Sequence, residues 1–232
     1  MDKETFRQRV ENEILIIDGA MGTMLQPYLP ADTCMELANI ERPDVVAMVN
    51  SAYLEAGADI ILTNTFGGNR IKLGEFGLKD RAREINVAAA KLTKKVVGNR
   101  ALVAGSIGPT GKLVDPLGPL NCDEVYEAYK EQAVALAEGG VDLFIMETFS
   151  DLKEIKAAVI AIRENTDLPI MASMTFEESF LTFTGTDPAT AATILTSLGV
   201  DAVGVNCSTA VSYTHLRAHE TSLHLVCRLL LE

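Results

Sequence analysis

The chain has 232 residues, of which 48% are hydrophobic and 22% charged, and its formal net charge at pH 7 is −12. These proportions are ordinary for a globular protein, and the length fits one large α/β domain or two small ones. No run of Lys and Arg is present, so nucleic acid and anionic membranes are not expected partners. The N-terminus is charged, and no apolar run approaches the roughly 18 residues of a membrane helix, so we expect a cytoplasmic protein.

Six short apolar runs alternate with five helical segments along the first 206 residues. The runs begin near positions 14, 59, 101, 141, 169 and 201, and the first is expected to form a strand over 14–18. Pro43 and Pro188 each open a helix, and Asp123 is placed to cap a helix over 124–138. The runs are apolar throughout, which is typical of parallel strands covered on both faces. Strict alternation of strand and helix predicts a parallel sheet.

Each predicted strand ends in a polar residue, and this feature separates the two architectures open to such a sheet. The polar ends are Asp18, Asn64, Ser106, Glu147, Thr175 and Asn206. In a (β/α)8 barrel they all converge on one mouth, whereas in an open doubly wound sheet only those at the switch point share a crevice. No GxGxxG follows a strand, and the segment 108–111 is not a P-loop. The sequence therefore predicts an incomplete (β/α)8 TIM barrel, with about six of its eight β-α units.

Residues 209–232 differ in character from the rest of the chain. They have no Gly, no Pro and no β-α rhythm, and they contain all three histidines, His215, His219 and His224. With Cys227, the histidines have spacings that would let a helix present metal ligands, and an amphipathic helix is the simpler alternative. The segment also resembles the translated read-through of a sequencing adapter. We therefore treat 1–208 as the barrel fragment and 209–232 as a non-native tail.

Five strand-end segments carry a family resemblance when they are taken in chain order. They are DGAMGTML at 18–25, TNTFGGN at 63–69, GSIGP at 105–109, METFSD at 146–151 and GVNCS at 204–208. In this order they resemble the homocysteine S-methyltransferase family, which includes the N-terminal homocysteine-binding barrel of cobalamin-dependent methionine synthase. The resemblance covers about residues 10–208 and implies a (β/α)8 barrel, in agreement with the strand pattern.

The resemblance also implies a reaction, the transfer of a methyl group to homocysteine to give methionine. In this family a zinc ion is held by three cysteines, and the homocysteine sulfur is its fourth ligand. Zinc favours thiolate over thiol, so that homocysteine can be a nucleophile at neutral pH. Methylcobalamin is the implied methyl donor, bound by cobalamin and folate domains that are absent here, and other relatives use other donors.

The cysteines match this pattern only in part. Cys207 resembles the first zinc ligand, at the end of the sixth predicted strand, although a lone Cys is more often a small core residue. The other two family ligands are an adjacent Cys pair, and this chain has no Cys-Cys. Cys34 and Cys122 match no ligand position and are expected to be ordinary thiols. The zinc site is therefore predicted to be incomplete and the fragment inactive, with no catalytic residue beyond the metal site.

The substrate-binding residues are likewise implied by the resemblance. Asp18 and Glu147 resemble the carboxylates that bind the homocysteine amino group, although a capping or loop-bracing role is the simpler alternative for each. Gly19 and Ala20 are expected to offer N–H groups to the substrate carboxylate, and Phe66 to form a wall of the pocket or part of the core. Two residues are expected to orient loops or the zinc thiolate, namely Asn64 and Asn206.

Two other functions stay open from the sequence alone. A barrel aldolase or phosphate-binding isomerase is one of them, but a Schiff-base aldolase needs a Lys at a strand end and none of the six strands ends in one. The strands at which barrel phosphate sites usually form are the seventh and eighth, which are not among the predicted elements. The other alternative is a truncated product without catalytic activity.

Overall fold

The computed structural model describes residues 1–208, and its centre is a five-stranded parallel sheet. The strands are β1 (Ile60–Leu62), β2 (Leu102–Ile107), β3 (Leu143–Phe149), β4 (Ile170–Met174) and β5 (Ala202–Val205). Their order in the sheet is β1-β2-β3-β4-β5, and each neighbouring pair is parallel. A doubly wound sheet reverses its strand order at the switch point. The sequential order excludes that fold and confirms the arc of a (β/α)8 barrel, which is not closed within the described residues.

The described helices lie around the arc, and the first of them covers its amino end while the long later helices cover its outer face. The helices are α1 (Lys3–Asn12), α2 (Met21–Leu25), α3 (Ala38–Glu41), α4 (Pro43–Glu55), α5 (Arg70–Gly74), α6 (Ala82–Val97), α7 (Cys122–Gly139), α8 (Leu152–Asn165) and α9 (Pro188–Ser197). Asn121, not Asp123, caps α7, where it forms a capping box with Glu124. The prediction of Asp123 as the cap was wrong because the helix begins two residues earlier than expected. No helix in the described part of the chain is long and apolar enough to cross a membrane.

The sheet separates two hydrophobic cores, which explains why the strands are apolar throughout. On β3, Phe144 and Met146 pack into the outer core against the helices. The intervening Leu143 and Ile145 pack into an inner core inside the arc. Successive strand residues point to opposite faces, so a strand covered on both sides needs an apolar residue at every position.

The first predicted strand is shorter than its sequence suggested. Within 14–18 only Ile17 forms a β-bridge, to Ile60. Leu15 is buried in the inner core, but Ile14 and Ile16 are 58% and 53% exposed. The prediction of a buried strand was wrong in extent because this segment pairs on one side only, with β1, and its outer face is left uncovered by the described helices.

Three of the turns that lead from a helix into a strand share one short sequence, Gly, then Ala or Val, then Asp. The glycines have positive φ angles, and they are Gly57, Gly140 and Gly199. Each Asp accepts a hydrogen bond from the backbone N–H of the preceding strand of the arc. The bonds are Ile16 to Asp59 at 2.9 Å, Val103 to Asp142 at 2.8 Å and Ile170 to Asp201 at 2.9 Å. These carboxylates join neighbouring strands at their amino ends, so the polar strand ends all lie at the opposite end of the arc.

Helix α1 covers the amino end of the arc. Phe6 is fully buried and belongs to the inner core, a cluster that includes residues of all five strands. Arg7 donates from Nε to Oδ1 of Asp201, at 2.8 Å, and the Asp201 side chain is fully buried. The first helix of the chain is therefore attached to the residue that directly precedes β5.

Candidate functional site

Asp18 lies at the end of the first extended segment and is only 5% exposed. Its backbone N–H donates to the carbonyl of Ile60 at 3.0 Å, and its Oδ2 accepts from the N–H of Leu62, also at 3.0 Å. The side chain thus occupies the place that a backbone carbonyl takes in a continued parallel ladder. Oδ1 has no hydrogen-bond partner. Since an unpaired buried carboxylate oxygen is costly, the atom is suited to a ligand that donates hydrogen bonds.

Glu147 projects from β3 near Asp18 and is partly buried. Its Oε1 accepts a hydrogen bond of 2.6 Å from the hydroxyl of Ser106 on β2. Burial raises the pKa of Glu147, despite that hydrogen bond. Burial, and then the negative charge of Glu147, raise the pKa of Asp18 to about 7, against the lowering effect of the Leu62 N–H. Two acids that resist ionisation beside each other form a site that a bound cation would stabilise.

The residues after Asp18 pass close to Tyr53 of α4. A Cβ on Gly19 would lie 2.9 Å from the hydroxyl oxygen of Tyr53, so a larger residue there would displace the tyrosine ring. The Tyr53 hydroxyl donates a long hydrogen bond, 3.4 Å, to the carbonyl of Ala20. Ala20 itself is exposed and directly precedes α2. The segment that carries Gly19 and Ala20 is therefore packed against Tyr53 on the side that faces α4.

Phe66 lies in the loop after β1 and packs on the loop after β2, and 41% of its surface is exposed. A Cβ on Gly108 would lie 2.5 Å from the Phe66 ring, so the ring packs directly on that backbone. The loop after β2 is fixed by the buried Glu154. Its Oε1 accepts hydrogen bonds from the Thr110 N–H at 2.7 Å, the Thr110 hydroxyl at 2.6 Å and the Tyr129 hydroxyl at 2.9 Å. Phe66 is thus a half-exposed aromatic surface on a rigid support.

The two predicted orienting asparagines occupy different surroundings. Asn64 donates to the carbonyl of Met35 at 2.7 Å, and its own carbonyl accepts from Asn39 at 2.7 Å, so it fixes the segment before α3. Asn206 donates from Nδ2 to the sulfur of Cys207 at 3.5 Å. Of the pair, Asn206 is the residue that contacts the predicted zinc ligand.

Cys207 is exposed after β5 and has a positive φ of 49°. The other described thiols lie elsewhere. Cys34 is buried and donates to Glu36 at 3.3 Å, and burial with that neighbouring charge raises its pKa to about 12. Cys122 is exposed at the start of α7. Within residues 1–208, no group of three or more His, Cys, Asp and Glu side chains is arranged to hold a metal ion.

The residues described so far therefore do not fit a complete three-cysteine zinc site. Cys207 is the one predicted ligand among them, and the zinc-ligand pattern of three thiolates is not met. The remaining candidates for metal binding in the sequence lie outside the described residues, and they are His215, His219, His224 and Cys227.

Comparison with known proteins assigns the family. A family model described as homocysteine S-methyltransferase matches residues 15–228. The chain belongs to this family. Methionine synthase of Mycobacterium tuberculosis is 34% identical over 228 residues, 90% of this chain and 19% of that protein. The Mycobacterium leprae methionine synthase is also 34% identical, over 234 residues, 92% of this chain and 19% of that protein. The chain thus spans about a fifth of the length of these curated relatives.

A solved structure in the homocysteine S-methyltransferase family supports the fold. The metallated form of the homocysteine methyltransferase MmuM from Escherichia coli has a TM-score of 0.74 to this chain, at 23% sequence identity. The match covers 84% of this chain and 74% of that one. At this identity the likeness is evidence of a common fold.

Sequence analysis of this family member missed three contacts of the site. Ser106 was recognised as a strand end but not as the hydrogen-bond donor to Glu147, although both side chains lie at the carboxyl ends of adjacent strands. Thr148 and Ser173 both contact Asn206, at 2.8 Å and 2.7 Å, and neither was singled out. For Ser106 the available signal was positional, since polar residues that end neighbouring parallel strands are brought together at the mouth.

The raised pKa of Asp18 predicts how stability depends on pH. Between about pH 4 and pH 7 the folded chain retains a proton that the unfolded chain releases, so stability falls as pH rises through this range. Asn at position 18 stays neutral and removes this loss. Without ligand, the free energy of unfolding of Asp18→Asn minus that of the parent chain is therefore expected to increase by on the order of 2–4 kcal/mol between pH 4 and pH 8. Urea unfolding at both pH values measures this, and a difference that does not change with pH would contradict it.

Proposed function

We propose that this chain is the homocysteine-binding part of a methyltransferase that forms methionine. The observation that carries the proposal is the buried, unpaired Oδ1 of Asp18 beside Glu147, in a chain of the homocysteine S-methyltransferase family. An ammonium group supplies both the hydrogen-bond donors and the positive charge that these two acids lack. The amino group of homocysteine therefore binds between Asp18 and Glu147.

The other substrate contacts are part of the same proposal. The backbone N–H groups of Gly19 and Ala20 bind the substrate carboxylate, and Phe66 covers the methylene chain. Apolar side chains line the inside of the arc next to Glu147, and they include Ile17, Leu62, Ile145 and Met171. No lysine is among the residues that line this cavity of the described chain, so a Schiff-base aldolase receives no support.

Zinc dependence is part of the same proposal, with Cys207 as one ligand. The Escherichia coli homocysteine methyltransferase MmuM is known in a metallated form, which supports a metal in this family. When bound, zinc would favour the thiolate form of homocysteine. Because the described residues contribute only one of three thiolates, we propose that the 232-residue chain does not itself transfer methyl groups.

The methyl donor and the partner domains are proposed from the relatives. The curated relatives are methionine synthases about five times as long as the matched region. We propose methylcobalamin as the donor, and cobalamin and folate domains as the parts of a full-length enzyme that deliver the methyl group to this barrel.

Calorimetry with two ligands tests whether Asp18 and Glu147 bind the amino group of homocysteine. L-homocysteine is expected to bind the chain, and 4-mercaptobutyrate, which lacks only the amino group, to bind at least about 30-fold more weakly because a buried charge pair is lost. Equal affinities would refute the role of Asp18 and Glu147. In a separate assay with methylcobalamin we expect no methionine and less than one zinc per chain. Methionine formation, or one-to-one zinc binding that Cys207→Ala abolishes, would contradict the proposed inactivity.

A further inference from the structure

Two residues near the mouth have a backbone conformation that their side chains disfavour. Thr148, in β3, has a φ of 66°, and Cys207, after β5, has a φ of 49°. A positive φ is uncommon for any residue except Gly, and it is an outlier for a β-branched one, at a cost of about 1–3 kcal/mol. Thr148 lies where the pairing of β3 with β4 shifts register, between Met146 and Phe149. Such strain persists only where surrounding contacts determine the conformation.

The contacts that surround Thr148 and Cys207 converge on the side chain of Asn206. Its Oδ1 accepts from the backbone N–H of Thr148 at 2.8 Å and from the Ser173 hydroxyl at 2.7 Å. Its Nδ2 donates to the hydroxyl oxygen of Thr148 at 2.8 Å and to the sulfur of Cys207 at 3.5 Å. Both lone pairs and both protons of the amide are thus used, so its orientation is fixed by the network.

The proton of the Thr148 hydroxyl then has one clear acceptor. Oγ1 accepts from Asn206, so its own O–H is available to donate, and the sulfur of Cys207 lies 3.7 Å away. The sulfur therefore receives hydrogen bonds from Thr148 and from Asn206. In a regular strand Thr148 would point to the opposite face from Glu147, and the register shift allows both side chains to serve the mouth.

We propose that Thr148 is a positioning residue that holds the sulfur of Cys207 at the mouth of the arc. The functional meaning of this inference rests on the proposed function, in which Cys207 is a metal ligand. The strained backbone of Thr148 is retained because it directs the hydroxyl to the sulfur of Cys207. A relaxed strand conformation would not place the hydroxyl there. Thr148 contributes orientation and hydrogen bonding and makes no bond to substrate or metal.

Alkylation of the full chain by iodoacetamide, without metal or substrate, measures the contact. At a pH where exposed thiols are ionised, mass spectrometry gives the rate at Cys207 relative to Cys122, an exposed internal reference. A thiolate is a weaker nucleophile when it accepts hydrogen bonds, so Thr148→Val is expected to raise this ratio by roughly 3- to 10-fold. Thr148→Ser keeps the hydroxyl and is expected to restore the parent ratio to within about 2-fold.

Thr148→Gly removes both the hydroxyl and the backbone strain, whereas Thr148→Val removes only the hydroxyl. The two variants together therefore separate positioning from strain. Thr148→Gly is expected to raise the Cys207 ratio as Val does, while increasing the midpoint of urea unfolding, since Gly adopts a positive φ without strain. An unchanged ratio in both Val and Gly variants would overturn the proposal. Cadmium uptake by the parent chain and by Cys207→Ala tests the ligand role separately. Equal uptake would refute Cys207 as a metal ligand, while a response of alkylation to Thr148 would still support positioning of the sulfur.

Discussion

Replacement of Asp18 by Asn is expected to weaken L-homocysteine binding by at least about 30-fold, because removing one partner of a buried charge pair costs about 2–5 kcal/mol. The substitution keeps the size of the side chain, and an amide oxygen can still accept from the N–H of Leu62. What it removes is the charge beside the unpaired Oδ1 position. Calorimetric titration of the refolded or natively purified chain at pH 8 measures the loss.

The control for this variant is Asp142→Asn, the same change at the opposite end of the arc. Asp142 accepts from the N–H of Val103 and pairs with Lys94, and Asn can retain the first of these bonds. It is expected to change homocysteine affinity by less than about 2-fold, since it lies far outside the mouth. Glu147→Gln should resemble Asp18→Asn, and the two changes together should cost less than their sum because both contact one ammonium. Full affinity in Asp18→Asn would exclude the assigned ammonium site.

Phe6→Ala is expected to lower the free energy of unfolding by about 3–5 kcal/mol, the usual cost of deleting a fully buried aromatic ring. Phe6 fills the amino end of the inner core, where it packs with residues such as Ile145 and Met171. Urea denaturation followed by circular dichroism measures the change. Phe76→Ala makes the same substitution at a residue that is 46% exposed, and it should cost less than about 1 kcal/mol. If Phe6→Ala lowered the free energy of unfolding no more than Phe76→Ala does, the role of α1 in covering the core would be contradicted.

The fold could be predicted because its signals are local and repeated. Apolar runs ending in Asn64, Glu147 or Asn206 indicate parallel strands whose carboxyl ends meet, and the sequential strand order agrees with that prediction. The extent of the first strand was less predictable, because the exposure of Ile14 and Ile16 depends on which elements pack beside them. That information is held in distant parts of the chain.

The sequence indicates candidate site residues at the strand ends, but it does not indicate the contacts that each of them makes. Asn64 and Asn206 look alike in the sequence, since each ends an apolar run, yet only Asn206 contacts the Cys207 sulfur. Thr148 has no composition signal at all, because its role depends on a backbone angle that Thr rarely adopts. The sequence gives the chemistry of each side chain, whereas the direction in which a side chain points depends on the register of strand pairing.

The bond between Arg7 and Asp201 has a consequence for the order in which the chain folds. The three strand-joining carboxylates each link neighbouring strands, so the arc can gain one β-α unit after another. Helix α1 is different, because its partners on β4 and β5 are made about 165 to 195 residues after it. Helix α1 is synthesised before these partners, so it can complete its contacts with β4 and β5 only after both strands have been made. A nascent chain therefore lacks part of the cover of Phe6 until β4 and β5 have been made, and docking of α1 against them joins the earliest and latest described elements of the arc.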